Sequence, residues 1–321
     1  MCSAECLLTR KEAIVTVDPV LVLIPSVVGP THSPTPAATE LNSANPSEPA
    51  FQRVDSHAPW LPVTDLGVTR GEGAFETIGV FDGNPVNVGP HLERLQRSAQ
   101  MLDMPELNLE VIRQALTYAI SQHPAAPELA VKIIVTAGIE GERVPLAWVH
   151  ARVNDDCTAA REGLRMAVLD RGVPSTVAQT SPWLLAGAKS LSYAVNMAAI
   201  REANRRGADD ALFVSSDGFC LEGPTSTLLV RRGQEFVTTP PSAGVLPGTT
   251  LLTAFEYLTT QGYECREELL TVEEVAASDG AWMLSSVRLA APITHLDERE
   301  MPVDAQFSVA LCAALAGRLR G

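Results

Sequence analysis

From Leu61 onward the chain alternates short strand-patterned runs with helix-patterned ones, and a chain so built must lay helices on sheets around a buried core. Phe75 to Phe81 reads as a strand that turns at Asp82-Gly83, a hairpin signal between apolar flanks. Pro90 opens a helix with Leu92, Leu95, Ala99 and Leu102 on one face. A second helix from about Leu109 to Ser121 and strands at Ala130 to Thr136 and Leu146 to Val153 close a small α+β domain. The polar run Asn154 to Glu162 marks the boundary, placing the small domain at 59–156 and a larger one at 157–321. The larger domain reads as strands at 164–170, 210–215, 226–231, 235–239, 263–269 and 281–286, with helices at 190–206, 249–261 and 303–320. Gly207 and Gly262 stand where helix C-caps belong.

The first 58 residues form an extension of different texture. Residues 30–58 are rich in Pro, Ser, Ala and Thr and carry few large apolar side chains, so they read as disordered. Ile14 to Ile24 is apolar enough to pair as a strand or to belong to an over-extended start, and the sequence leaves both open. The apolar stretch Ala13 to Val28 is broken by Asp18, Pro19 and Pro25, which excludes a membrane span and argues against a signal peptide. A formal charge of −14 disfavours a nucleic-acid surface and points to small-molecule partners. The six cysteines, at 2, 6, 157, 220, 265 and 312, show no metal-ligand spacing and read as reduced thiols of a cytoplasmic chain.

Of the 24 lysines and arginines only Lys11, Lys132 and Lys189 are lysines, so lysine chemistry has three candidates. Lys189 sits in Gly187-Ala188-Lys189-Ser190-Leu191, where a loop enters a helix among small and apolar neighbours. Desolvation there lowers an amine's pKa and makes it a Schiff-base nucleophile, although a single lysine is usually just solvated. Val245-Leu246-Pro247-Gly248-Thr249-Thr250 runs from a loop into a helix and offers free backbone N–H groups and two hydroxyls to an anion; its plain alternative is a capped Pro-Gly turn. Ser285-Ser286 ends a strand, and Arg94 in His91-Leu92-Glu93-Arg94-Leu95 is placed to clamp a phosphate. Glu222 is the one carboxylate in Leu221-Glu222-Gly223-Pro224-Thr225, suited either to a pyridine nitrogen or to an exposed turn. Gly71-Glu72-Gly73 lacks the third glycine of a dinucleotide fingerprint.

In joint order and spacing, FET, HLERL, GAK, EGPTST, LPGTT and SS resemble the fold-type IV pyridoxal-phosphate enzymes, over roughly Leu61 to Asp297. That family includes branched-chain and D-amino-acid aminotransferases and aminodeoxychorismate lyase. The resemblance implies a small α+β domain, a larger domain built on a pseudo-barrel sheet, and a homodimer with the active site near its interface. It implies that Lys189 holds pyridoxal 5′-phosphate as a Schiff base and that Glu222 faces the pyridine nitrogen. Arg94, Thr249, Thr250 and Ser286 would then hold the phosphate. Tyr193, read as one helical turn after Lys189, stands one position short of the family's ring-hydroxyl tyrosine.

The pieces Asp65 to Gly73, Leu129-Ala130-Val131-Lys132, Pro182-Trp183-Leu184 and Lys189 to Met197 are most similar to aminodeoxychorismate lyases of the actinobacterial type. These convert aminodeoxychorismate to 4-aminobenzoate and pyruvate for folate synthesis. On that reading Lys132 and Arg143 meet the substrate carboxylates. The runner-up is a D-amino-acid or branched-chain aminotransferase using the same residues. A non-catalytic scaffold built on the Pro-rich segment survives only if Lys189 binds no cofactor. No metal is expected.

Overall fold

The computed structural model describes residues 17–25, 27–28, 50–142 and 144–318. Two sheets carry the chain. The first has the order β2-β1-β6-β5-β3-β4, from β1 (Val20–Ile24), β2 (Gln52–Val54), β3 (Gly73–Phe81), β4 (Asn84–Pro85), β5 (Glu128–Thr136) and β6 (Leu146–Val153). Every pairing in it is antiparallel. Helices α1 (Val88–Met101) and α2 (Leu109–Gln122) cover one face. They bury Leu92, Leu95, Ile112 and Leu116 against Val22, Ile78, Ile133 and Val149, which alternate along their strands as a half-covered sheet requires.

The second sheet has the order β11-β10-β9-β12-β13-β7-β8, with β14 paired to β13. Its strands are β7 (Leu164–Asp170), β8 (Asp210–Val214), β9 (Thr227–Arg232), β10 (Glu235–Thr238), β11 (Glu264–Glu267), β12 (Gly280–Ser285), β13 (Leu289–Leu296) and β14 (Arg299–Glu300). Parallel contacts β10–β11, β13–β7 and β7–β8 mix with antiparallel ones, and the sheet curls. Its longer helices are α3 (Ala194–Arg205), α4 (Thr249–Thr260) and α5 (Ala305–Leu315). Each side of the sheet has a core: Leu164, Met166, Leu228 and Ile293 on one, Trp282, Phe236, Leu258 and Leu311 on the other. Among the described residues no helix is long and apolar enough to cross a membrane.

Most boundaries fall where the pattern places them, and Gly207 and Gly262 end α3 and α4 at φ +77° and +84°. Four expectations need correction. Residues 50–58 are not structureless: β2 pairs with β1, and Phe51 packs on Tyr118 at 5.4 Å between ring centroids. The rest of the Pro-rich segment, 29–49, lies outside the described residues, as do Cys2, Cys6 and Lys11. Of the apolar stretch before it, Val20–Ile24 pairs with β6. Pro90 does not open α1, which begins at Val88 after Asn87 in the left-handed region (φ 56°). The Asn87 side chain instead reaches across to α4, donating to Thr249 O (3.0 Å) and Thr253 Oγ1 (2.7 Å). The helix expected from 190 starts only at Ala194, because residues 189–191 are drawn into β pairing. The last helix spans Ala305–Leu315, shorter than its apolar run.

Candidate active site

The Lys189 segment is strapped to the start of β3. Phe75 N–H donates to Lys189 O (3.0 Å) and Leu191 N–H to Gly73 O (2.8 Å), so a nine-residue strand fixes the backbone on both sides of the lysine. The Lys189 N–H donates to Ser98 Oγ on α1 (3.1 Å). Its Nζ lies 4.7 Å from the Phe75 ring centre and 5.8 Å from that of Tyr193. Burial, opposed by Glu76 and Glu222, lowers its pKa to about 8. The charges that act on Nζ are Glu76, Arg94, Glu222 and Lys132, so residues from β3, α1, the β8–β9 connection and β5 converge on one amine.

Tyr193 reaches Lys189 by a turn, not by the helical step expected from the sequence, since it is the residue preceding α3. Its hydroxyl donates to Pro224 O (2.8 Å), and burial and Glu222 push its pKa up to about 12. Glu222 is largely buried. Burial raises its pKa, against the pull of Arg171, whose Nη1 lies 3.9 Å from Oε1, and of the Leu246 N–H, which donates to Oε2 (3.0 Å). Arg171 lies 4.8 Å from the centre of the Phe213 ring, and its buried Nη1 has no hydrogen-bond partner.

On the other side of the lysine, Thr249 and Thr250 open α4 and Ser286 follows β12. Their hydroxyls gather round one imidazole nitrogen: His91 Nε2 is 3.2 Å from both Thr249 Oγ1 and Ser286 Oγ, and Thr250 Oγ1 is 3.4 Å from Ser286 Oγ. Arg94, 5 % exposed, donates through Nε and Nη2 to Glu76 (both 2.7 Å) and through Nη1 to Pro247 O (2.8 Å). Backbone N–H groups at a helix start, three hydroxyls and an adjacent guanidinium make a site for an anion.

Lys132 is half-buried on β5, an interior strand rather than an edge. Thr77 is its partner on β3 and His150 its partner on β6, so it shares a face with Phe75 beside Lys189. Arg143 lies outside the described residues.

Glu76, His91, Arg171 and His150 were not picked out from the sequence as site residues. Glu76 had a visible signal, a lone carboxylate in the apolar strand Ala74-Phe75-Glu76-Thr77-Ile78. His91 stands three residues before Arg94 and hence on the same helix face. Arg171 and His150 carry no local signal.

Residues 73–296 match the family model of amino-transferase class IV. The bifunctional aminodeoxychorismate lyase / D-amino acid transaminase of Mycobacterium tuberculosis is 41 % identical over 258 residues, 76 % of this chain and 88 % of that protein. A fold IV-transaminase from Curtobacterium pusillum superposes with a TM-score of 0.87 at 43 % identity, covering 94 % of this chain and 98 % of that one. A hypothetical aminotransferase from M. tuberculosis in its PLP-bound form gives 0.80 at 38 % identity over 83 % of this chain and 97 % of that one.

Proposed function

The chain belongs to the class IV aminotransferases, enzymes of fold type IV that use pyridoxal 5′-phosphate, and within that family we propose that it is an aminodeoxychorismate lyase. It then releases 4-aminobenzoate and pyruvate and serves folate synthesis. The observation that carries the lyase reading is the 41 % likeness to a bifunctional lyase and transaminase, joined to a cation, Lys132, on the sheet face beside Lys189. His150, directly across from Lys132, has its pKa lowered by burial, Arg152 and Lys132, and as a neutral ring adds one N–H donor to the same row, which suits a substrate with two carboxylates.

The residues present fit the cofactor. An amine of lowered pKa, a largely buried carboxylate and a hydroxyl cluster with an arginine stand about one point, as an aldehyde, a pyridine nitrogen and a phosphate require. Lys189 would hold the cofactor covalently, and Arg94, Thr249, Thr250 and Ser286 its phosphate. Glu222 would face the pyridine nitrogen, with Tyr193 beside the ring. When bound, the cofactor supplies an electron sink.

Lys189 Nζ, as a free amine, would take the proton from the amine-bearing carbon; with a pKa of about 8, a fraction of it is the free base near neutrality. The same amine returns the proton to the departing enolpyruvyl group, which leaves as pyruvate from an aromatised ring. Glu222 as carboxylate would keep the facing nitrogen protonated, and Arg171 favours that form against the burial that raises the Glu222 pKa. Lys132 and His150 orient the carboxylates. We read the enzyme as a homodimer, a second copy covering the half-exposed row Leu21, Leu23 and Trp148 that continues the Lys132 face.

The lyase needs no keto acid, whereas a transaminase stops after one half-reaction without one. Full-length protein given aminodeoxychorismate alone is expected to form 4-aminobenzoate over many turnovers, and Lys189→Ala to lose both that activity and the near-violet absorption band. No 4-aminobenzoate, with stoichiometric conversion of the cofactor to its amine form by D-alanine or leucine, would move the assignment to a transaminase.

A further inference from the structure

Beneath the hydroxyl cluster lies a charged group that the reaction above does not use. Glu76, 0 % exposed, receives both hydrogen bonds from Arg94 and a third from His91 Nδ1 at 2.7 Å. Burial pushes its pKa up, but Arg94 and His91 outweigh that and bring it to about 2, so Glu76 is a carboxylate at any working pH. An ionised carboxylate can only accept, which places a hydrogen on Nδ1 and fixes the tautomer. The other ring nitrogen, Nε2, is the variable atom.

Nε2 faces two hydroxyl oxygens, Thr249 Oγ1 and Ser286 Oγ, each at 3.2 Å. A neutral Nε2 has one lone pair and draws one hydroxyl hydrogen toward itself. That hydrogen is withheld from anything bound above the hydroxyls. A phosphate dianion held by the hydroxyls of Thr249, Thr250 and Ser286 takes their hydrogens, and once Thr249 and Ser286 turn to it their lone pairs face Nε2 instead. With His91 only 1 % exposed, a lone pair meeting lone pairs there is costly, and an N–H on Nε2 removes the conflict.

Resting on the reading of Thr249, Thr250 and Ser286 as the phosphate holders, we propose that His91 is a positioning residue that takes up a proton with the anion: neutral with its hydrogen on Nδ1 in anion-free protein, doubly protonated when a phosphate dianion is bound. Glu76, Arg94 and Lys189 are the charged groups that act on its ring. Burial, Arg94 and Lys189 hold its pKa below the ordinary value against Glu76. Two added negative charges one hydroxyl away reverse that balance.

Nitrogen NMR of full-length protein labelled at its six histidines reads both states directly. The His91 signals are identified by their loss in His91→Gln or, if that variant does not fold, by replacing the other five with Asn. Cofactor-free protein at about pH 8 is expected to show the neutral Nδ1–H pattern. Adding pyridoxamine 5′-phosphate, and separately excess inorganic phosphate, should protonate both nitrogens. If the Thr249, Thr250 and Ser286 amides respond to the ligand while His91 stays neutral, the proposal is overturned and the phosphate site stands. If pyridoxamine 5′-phosphate binds without moving those amides, the phosphate site itself is misplaced and the proposal goes with it.

Discussion

Glu222 and Glu76 are two buried carboxylates driven in opposite directions by their partners. Burial raises Glu222 because it has one backbone donor and an arginine at 3.9 Å, whereas Glu76 ends at about 2 because three direct hydrogen bonds outweigh the same burial. A raised carboxyl pKa means that the folded state holds an extra proton, so stability falls as pH rises through that window. In cofactor-free protein Glu222→Gln should therefore raise the melting temperature at neutral pH while abolishing turnover. Arg171→Met removes the charge that favours the carboxylate. The rising limb of the pH–rate profile should move to higher pH, with roughly tenfold lower activity at neutrality; an unmoved limb would show that Arg171 does not act through Glu222. For Glu76 the sign reverses: its stabilisation, of the order of 3 kcal/mol for a shift from 4.5 to about 2, is present above about pH 4.5 and disappears as pH falls toward 2. Glu76→Gln strands a buried guanidinium and should cost about 3–5 kcal/mol in denaturant unfolding at neutral pH. The wild-type advantage should shrink on acidification. At this scale the motifs already singled out Lys189, Glu222, Arg94 and the hydroxyls, because each sits in an unusual local composition. Arg171 did not stand out, since an arginine near a strand end is ordinary until the Phe213 ring and Glu222 are known to flank it.

At the level of elements, β3 is the piece on which the site is hung. Its first residues strap the Lys189 loop, Glu76 in its middle anchors Arg94 and His91, and Gly79 near its end passes Ser286. A Cβ on Gly79 would run into Ser286 O, which is backbone and cannot swing away. Gly79→Ala should push β3 from the Ser286 turn, costing roughly 1–3 kcal/mol in stability. It should also weaken pyridoxamine 5′-phosphate binding by about tenfold. Binding at wild-type strength would show that the hydroxyl cluster does not depend on this contact. The strap also explains why the helix expected from 190 begins late. Periodicity reads Ser190 to Tyr193 as a first turn, but Ser190 bridges to Ala74, Lys189 O accepts from the Phe75 N–H, and the Tyr193 N–H goes to Leu191 O and not back to Lys189 O. A carbonyl and backbone held in strand pairing are not available to open a helical turn. Most other strands and helices were legible because each follows its own period of burial, but β13 was not read, since its first five residues are buried on both faces and show no alternation.

Across the whole molecule the two sheets are held in register by Arg161. Its guanidinium grips Glu128 of β5 through both oxygens (2.8 and 2.7 Å) and donates to Val287 O (3.0 Å) and Arg288 O (3.1 Å) beyond β12. Because that connection also carries Ser286, Arg161→Met should lower cofactor affinity as well as stability, the latter by about 1.5–3 kcal/mol, and Arg161→Lys should rescue neither, since an ammonium cannot replace a fork. Wild-type affinity in Arg161→Met would show that the sheets hold their places by apolar packing alone. Much of the order along the chain was determined by sequence: the run of strands and helices apart from β13, and a spacing of motifs specific enough to imply the family. Those features depend on neighbours a few residues apart, whose burial period and turn chemistry are written locally. Only the tertiary structure decided that Val20–Ile24 is the strand beside β6, that Asn87 ties α1 to Thr249 and Thr253, and that Glu76, His91 and Arg94 form one charged group beneath three hydroxyls. Those partners are separated by up to 195 residues, as His91 and Ser286 are, and no local period carries information across such a gap; the packing of two sheets brings them together.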